Sequence, residues 1–206
     1  MIETYLKKNY QRCLVKPLAK RLPTTITPNM ITILGALFGV MSGLAIVLHL
    51  PIIAVVLLIL SGYADTLDGC FAEVSQQQSN FGSILDIVAD RIVESAIVLG
   101  LYFYQMSTAR AVLCLLLFTS ILICITSFLI VSLFTTESKL KTQGKSFYYS
   151  IGLMERAEAF LFFGLMILLP QYFTVLAIAF IVLVGLTAGL HLWQFRLFES
   201  KKTKSC

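Results

Sequence analysis

A chain of 206 residues that is 58% hydrophobic and 13% charged cannot cover a water-facing exterior, since soluble domains carry about 45–50% apolar and about 25% charged residues. The length suits one domain, and a mean hydropathy of +0.87 makes lipid its expected solvent. The net charge of +5 sits mostly beside the apolar runs, so the expected surroundings are membrane lipid, with no nucleic acid partner.

In chain order, residues 1–26 read as a juxtamembrane segment. Ile2, Tyr5, Leu6, Leu14, Val15, Leu18 and Leu22 alternate with Lys7, Lys8, Arg12, Lys16, Lys20 and Arg21, as in an amphipathic helix lying in the interface plane. Each such cation near an anionic leaflet adds about 1 kcal/mol, so the expected role is anchoring. A spanning helix needs about 20 mostly apolar residues. Six stretches qualify, roughly 30–50, 51–72, 83–105, 110–134, 149–169 and 171–193. Pro51 and Pro170 fall at turns between adjacent spans, where the missing N–H does little harm. Residues 73–81 are polar and form a surface loop. The expected fold is therefore all-α, a polytopic membrane protein with six transmembrane helices in a domain over 27–194, followed by a basic tail over 195–206.

Basic residues mark cytoplasmic loops. The six early cations, Lys139, Lys141 and Lys145 after the fourth span, and Arg196, Lys201, Lys202 and Lys204 after the sixth share one side if six helices cross. The opposite loops hold only Arg110. Both termini are expected in the cytoplasm, with the protein in the cell (inner) membrane. The five cysteines lack metal-ligand spacing and read as small hydrophobes or free thiols. His49 and His191 stand alone near span ends and are expected at the interface.

The informative residues are acids inside apolar spans. A charge at the bilayer centre costs about 2.5–3.5 kcal/mol on insertion scales, so such groups tend to be paired and functional. Asp65 and Asp68 are three apart near the end of the second span, and Asp86 and Asp90 are four apart near the start of the third. Each pair shares a helix face, and the short loop between the spans makes the helices antiparallel neighbours. Four carboxylates then converge on one pocket. Hard divalent cations with oxygen ligands, Mg²⁺ or Mn²⁺ holding a phosphate-bearing substrate, neutralise such a cluster. Gly69, Ala72 and Gly82 bracket the carboxylates and allow close approach of a ligand or backbone. A divalent-cation transporter also places acids in the membrane, but usually near the midplane on broken helices; here the acids sit beside a polar loop.

The segment Asp65-x2-Asp68-Gly69-x2-Ala72-Glu73-x8-Gly82-x3-Asp86-x3-Asp90 closely resembles the CDP-alcohol phosphotransferase (CDP-alcohol phosphatidyltransferase) family pattern D-x2-D-G-x2-A-R-x8-G-x3-D-x3-D, at seven of eight fixed positions. Thr27-Pro28-Asn29-Met30-Ile31-Thr32 resembles the stretch that opens that family's first span. The resemblance implies a transferase of phospholipid biosynthesis that moves a phosphatidyl group from CDP-diacylglycerol to a small alcohol acceptor and releases CMP. It implies two Mg²⁺ or Mn²⁺ ions on Asp65, Asp68, Asp86 and Asp90, with Asp90 also the general base. Gly69, Ala72 and Gly82 would flank the nucleotide, Asn29, Thr32 and Ser79 would line its pocket, and the enzyme would be a homodimer. One position departs: Glu73 stands where the family has arginine, so another cation compensates, donor binding differs, or activity is reduced.

Further on, Gly152-Leu153-Met154-Glu155-Arg156 resembles a GxxER element of members that use phosphorylated acceptors. Arg156, aided by Lys145 or its neighbours Lys139 and Lys141, would hold an acceptor phosphate. A buried ion pair of Arg156 with Glu155 or Glu158 is the alternative. A phosphate-binding acceptor site points to glycerol 3-phosphate first and inositol phosphate second.

Overall fold

The computed structural model describes Pro23, residues 26–140, Met154 and residues 156–203. The expected interfacial helix before residue 23, Lys141, Lys145 and the side chain of Lys139 lie outside the described residues. The chain runs as α1 (Pro28–Val47), α2 (Pro51–Val74), α3 (Asn80–Tyr104), α4 (Thr108–Leu140), α5 (Arg156–Leu168), a 3-10 turn at Pro170–Tyr172 and α6 (Phe173–Thr203). No strand occurs among the described residues.

The helix ends follow from local chemistry. Pro28 and Pro51 open α1 and α2 at positions where an N–H has no helical partner. Ser79 caps α3, its Oγ accepting from the Gly82 N–H at 2.9 Å. At the other ends, α1 and α2 close through left-handed residues, His49 (φ 57°) and Gln76 (φ 56°). In each case a following N–H returns to the last turn, Leu50 to Ala45 O at 2.9 Å and Gln77 to Ala72 O at 3.0 Å. The latter closure sets the path of the loop that leads to α3.

Four segments are long and apolar enough to cross a membrane: α1, α2, Thr108–Phe134 within α4, and Pro170–Leu197. Two of the six expected spans do not meet that test. The 25-residue α3 carries Asp86, Asp90, Arg91 and Glu94, so the residues that make a site also dilute its apolar character. The described part of α5 has 13 residues. At the C-terminal end α6 continues as helix through residues 195–203, without a break where the basic tail begins.

α1 packs along both α2 and α3, and α4 along α6. The α1–α3 contact is between backbones. A Cβ on Gly43 would lie 2.5 Å from the Ala96 carbonyl oxygen, and one on Gly100 would lie 2.6 Å from the Gly43 oxygen. Small residues permit this approach, which in lipid replaces the hydrophobic effect as the source of helix association. Gly43→Ala is therefore expected to force α1 away from α3 and to destabilise the fold by about 1–3 kcal/mol. The check is the melting temperature of the detergent-solubilised variant; an unchanged value would show that the helices do not meet there.

The remaining core joins Val98 and Leu101 of α3, Leu117 of α4, Phe163 and Met166 of α5 and Phe180 of α6, with the Phe163 and Phe180 rings stacked at 5.3 Å. His191 is buried, its Nδ1 lying 3.1 Å from the Ser127 hydroxyl across the α4–α6 contact. At the end of the bundle away from the aspartates, Arg110 is also buried. It donates to Gln105 Oε1 at 2.8 Å, and its guanidinium lies 4.1 Å over the Phe173 ring. These contacts tie the α3–α4 turn to α6 and shield the charge.

Candidate active site

The site forms where the start of α1, the last turns of α2, the first turns of α3 and the first residue of α5 meet. Spacing alone puts Asp65 and Asp68 on one face of α2 and Asp86 and Asp90 on one face of α3. Packing against α1 then turns both faces inward. Asp68 is buried and accepts a short hydrogen bond at Oδ2 from the Thr32 hydroxyl, which also lies 3.2 Å from the Pro28 carbonyl. Thr32 thus fixes one carboxylate from the neighbouring helix.

Arg156 supplies the positive charge at the centre. Its Nη1 is ion-paired with Asp65 Oδ1 and donates to Asp90 Oδ2 at 2.9 Å. Nη2 lies 2.5 Å from Asp90 Oδ1, and Asp86 Oδ1 lies 3.9 Å from Nη1. Of the two readings of Arg156, the ion-pair reading finds partners in Asp65 and Asp90 on other helices, while Glu155 lies outside the described residues. Arg91 meets Glu94 at 2.6 Å and Asp90 at 3.9 Å, adding a second cation at the edge.

One guanidinium facing four carboxylates leaves the centre short of positive charge. Oxygens of Asp65, Asp68 and Asp86 lie within 4.8 Å of one another, and Asp86 Oδ1 is buried with no hydrogen-bond partner. Mg²⁺ and Mn²⁺ favour octahedral oxygen sites with bonds near 2.1 Å, so opposite ligands stand about 4.2 Å apart. The three carboxylates fit such an ion with a small closure. Asp90 stands outside this close triad, with both its oxygens on Arg156.

Beside Asp68 and Asp86 opens a cavity of about 620 Å³. Asn29, Thr32, Gly69, Ala72, Ser79 and Gly82 all line it, so the six residues expected around a nucleotide share one wall system. A Cβ on Gly69 would meet nothing within 4 Å, whereas one on Gly82 would come within 3.2 Å of Asn29 Oδ1. Gly82 is thus where α1 and α3 close the cavity. Gln77, Gln78, Asn80 and Ser83 also line it, though sequence reasoning assigned the first three only to a surface loop and Ser83 to the start of the third span; a run of amides beside the motif was the available signal. Glu73 is exposed on the last turn of α2 and is not among the lining residues. Lys145 lies outside the described residues.

Comparison with known proteins adds independent findings. The family model described as CDP-alcohol phosphatidyltransferase matches residues 25–193. An archaetidylinositol phosphate synthase of Pyrococcus horikoshii is 34% identical over 76 residues, covering 37% of this chain and 40% of that protein. The chain therefore matches less than half of that relative's length. Inner membrane protein YnjF of Escherichia coli is 29% identical over 172 residues, 82% of each chain. Among solved structures, phosphatidylinositol phosphate synthase (PgsA1) of Mycobacterium tuberculosis with CDP-DAG bound superposes with a TM-score of 0.63 at 22% identity, covering 88% of this chain and 93% of that one. The same protein is also known in complex with manganese and citrate. At that identity the likeness establishes a shared fold.

Proposed function

The chain belongs to the CDP-alcohol phosphatidyltransferase family, whose model spans most of it, and from this premise we propose that it transfers the phosphatidyl group of CDP-diacylglycerol to a phosphorylated polyol. Membership makes it an integral membrane transferase of phospholipid biosynthesis and removes the cation-transporter reading. The observation that carries the finer reading is Arg156, a guanidinium on the same carboxylates that the family motif provides for chemistry.

Asp65, Asp68 and Asp86 would hold the first divalent ion, and Asp90 would complete the set for a second once free of Arg156. Bound there, Mg²⁺ or Mn²⁺ would supply positive charge against the donor diphosphate and the leaving CMP. The cavity walls at Asn29, Thr32, Gly69, Ala72, Ser79 and Gly82 hold the nucleotide beside Asp68. The acceptor hydroxyl loses its proton to the Asp90 carboxylate as its oxygen bonds to the phosphorus attached to the lipid. The bond from that phosphorus to the bridging oxygen breaks, and the electron pair leaves with CMP. Glu73 stands off the cavity, which supports an intact donor site in spite of the missing motif arginine.

Arg156 suits the acceptor's phosphate because a planar guanidinium binds phosphate oxygens in pairs. Relatives named for inositol phosphate products favour inositol phosphate over glycerol 3-phosphate, reversing the order expected from sequence. Six membrane crossings, an interfacial N-terminal helix, a cytoplasmic site with both termini on that side, and a homodimer complete the proposal, supported by the distribution of lysine and arginine and by the family resemblance.

The test is purified enzyme with CDP-diacylglycerol and Mn²⁺, offered inositol phosphate, glycerol 3-phosphate, inositol and serine in turn. CMP release and a phosphodiester lipid retaining the acceptor phosphate are expected with inositol phosphate, read by mass. CMP release only with unphosphorylated alcohols would defeat the assignment of Arg156.

A further inference from the structure

The groups that the reaction needs free are the groups that Arg156 holds. Both Nη nitrogens lie on Asp90, Nη1 also bonds Asp65, and Asp86 Oδ1 is 3.9 Å away. A carboxylate oxygen that accepts from a guanidinium cannot also approach a divalent ion to about 2.1 Å without bringing two cations together in a partly buried site. Asp90 is likewise a weaker base while both its oxygens accept from Arg156. Nor can the guanidinium receive a phosphate while its nitrogens are committed to carboxylates.

We propose that Arg156 and the divalent cations compete for the same carboxylates, so that metal loading and the release of Arg156 are one exchange, and the released guanidinium then receives the acceptor's phosphate. The inference rests on the assignment of these aspartates to metal and adds an order of events: metal before acceptor. The surrounding structure permits the side chain to move without the helix. Phe160, one turn along α5, presses on α2 at Gly62, where a Cβ would lie 2.8 Å from the ring; this contact holds the two helices together. The Arg156 side chain is 28% exposed, so a route outward exists, and its guanidinium already lies 5.5 Å from the centre of the Phe160 ring, a surface on which a released cation can rest.

The exchange is read without turnover, on the full chain in lipid nanodiscs. Wild-type protein is treated with the arginine-selective reagent phenylglyoxal with and without Mn²⁺, and modification of Arg156 is followed by mass spectrometry. Labelling is expected to rise severalfold on addition of Mn²⁺ and to fall again when inositol phosphate is added. In parallel, Mn²⁺ affinity is measured by the loss of free-ion electron paramagnetic resonance signal. Arg156→Gln is expected to bind Mn²⁺ about tenfold more tightly, because no ion pair must first be broken. Arg91→Gln removes a nearby cation that does not sit on the carboxylate triad and is expected to change affinity by less than about twofold.

Equal Arg156 labelling with and without Mn²⁺ overturns the exchange, as does an equal gain in affinity from both variants. Labelling that rises with Mn²⁺ but is not suppressed by inositol phosphate or glycerol 3-phosphate overturns the delivery to the acceptor. If Arg156→Gln does not fold, Arg156→Lys serves, since an ammonium cannot reproduce the paired Nη1 and Nη2 contacts with Asp90; it too is expected to bind Mn²⁺ more tightly. The absence of CMP release with every acceptor would sink the proposed function while leaving the labelling result to decide the exchange.

Discussion

Replacing Asp90 by asparagine is expected to reduce the rate of CMP release by about 10³-fold, within the range that a positioned general base contributes. The substitution keeps the size and the hydrogen-bonding outline of the side chain. Its amide oxygen still accepts from Arg156, now with one oxygen in place of the two that meet Nη1 and Nη2. What is lost is a basic site for the acceptor proton and one prospective metal ligand. The close triad of Asp65, Asp68 and Asp86 is untouched, so Mn²⁺ binding at that triad should persist within a few-fold. The diagnostic is therefore a fall in kcat without a matching loss of Mn²⁺ at the triad or of donor binding. Activity within threefold of wild type would remove Asp90 from the base role. Loss of all Mn²⁺ binding would make it chiefly a ligand.

Much of the site was legible because helix geometry is local. Three- and four-residue spacings place Asp65 with Asp68 and Asp86 with Asp90 whatever the rest of the chain does, and the hydropathy runs located six helices, although α4 and α6 run well past the expected ends at 134 and 193. The cavity residues Gly69, Ala72 and Gly82 followed from a motif in which one glycine, Gly82, has a steric purpose against Asn29. What escaped was contact between distant segments. Nothing in the spacing around Arg156 tells that it will pair with Asp65, 91 residues away, and its acidic neighbours in sequence pointed elsewhere. The partner of His191 escaped for the same reason: only the packing of α4 on α6 supplies Ser127. α3 falls short of the length-and-composition test because its first turns must be polar enough to bear Asp86 and Asp90, and a composition rule cannot separate a poor span from a functional one. That is the trade expected where a site is built into an apolar scaffold.

The sharpest test of the metal assignment sets two carboxylates of the same cluster against each other. Asp86→Asn is expected to weaken Mn²⁺ binding by at least about 100-fold and to abolish turnover, yet to leave the metal-free protein no less stable. The reason lies in its partners. Asp86 Oδ1 is buried without a hydrogen bond, and its nearest cation is 3.9 Å away, so removing the charge relieves repulsion from Asp65 and Asp68 and breaks no strong contact. Asp65→Asn removes a ligand from the same triad, but it also weakens the direct ion pair with Arg156. Breaking a largely buried pair is expected to lower the stability of the metal-free protein by roughly 2 kcal/mol. Both variants should lose metal; only Asp65→Asn should melt earlier without it. Function and stability then separate within a few ångströms, as they do when a protein keeps an uncompensated charge for its chemistry. Thermal melts with and without Mn²⁺, together with a Mn²⁺ titration, decide the matter. A destabilised Asp86→Asn that still binds Mn²⁺ at wild-type affinity would show that this aspartate serves the fold and not the metal.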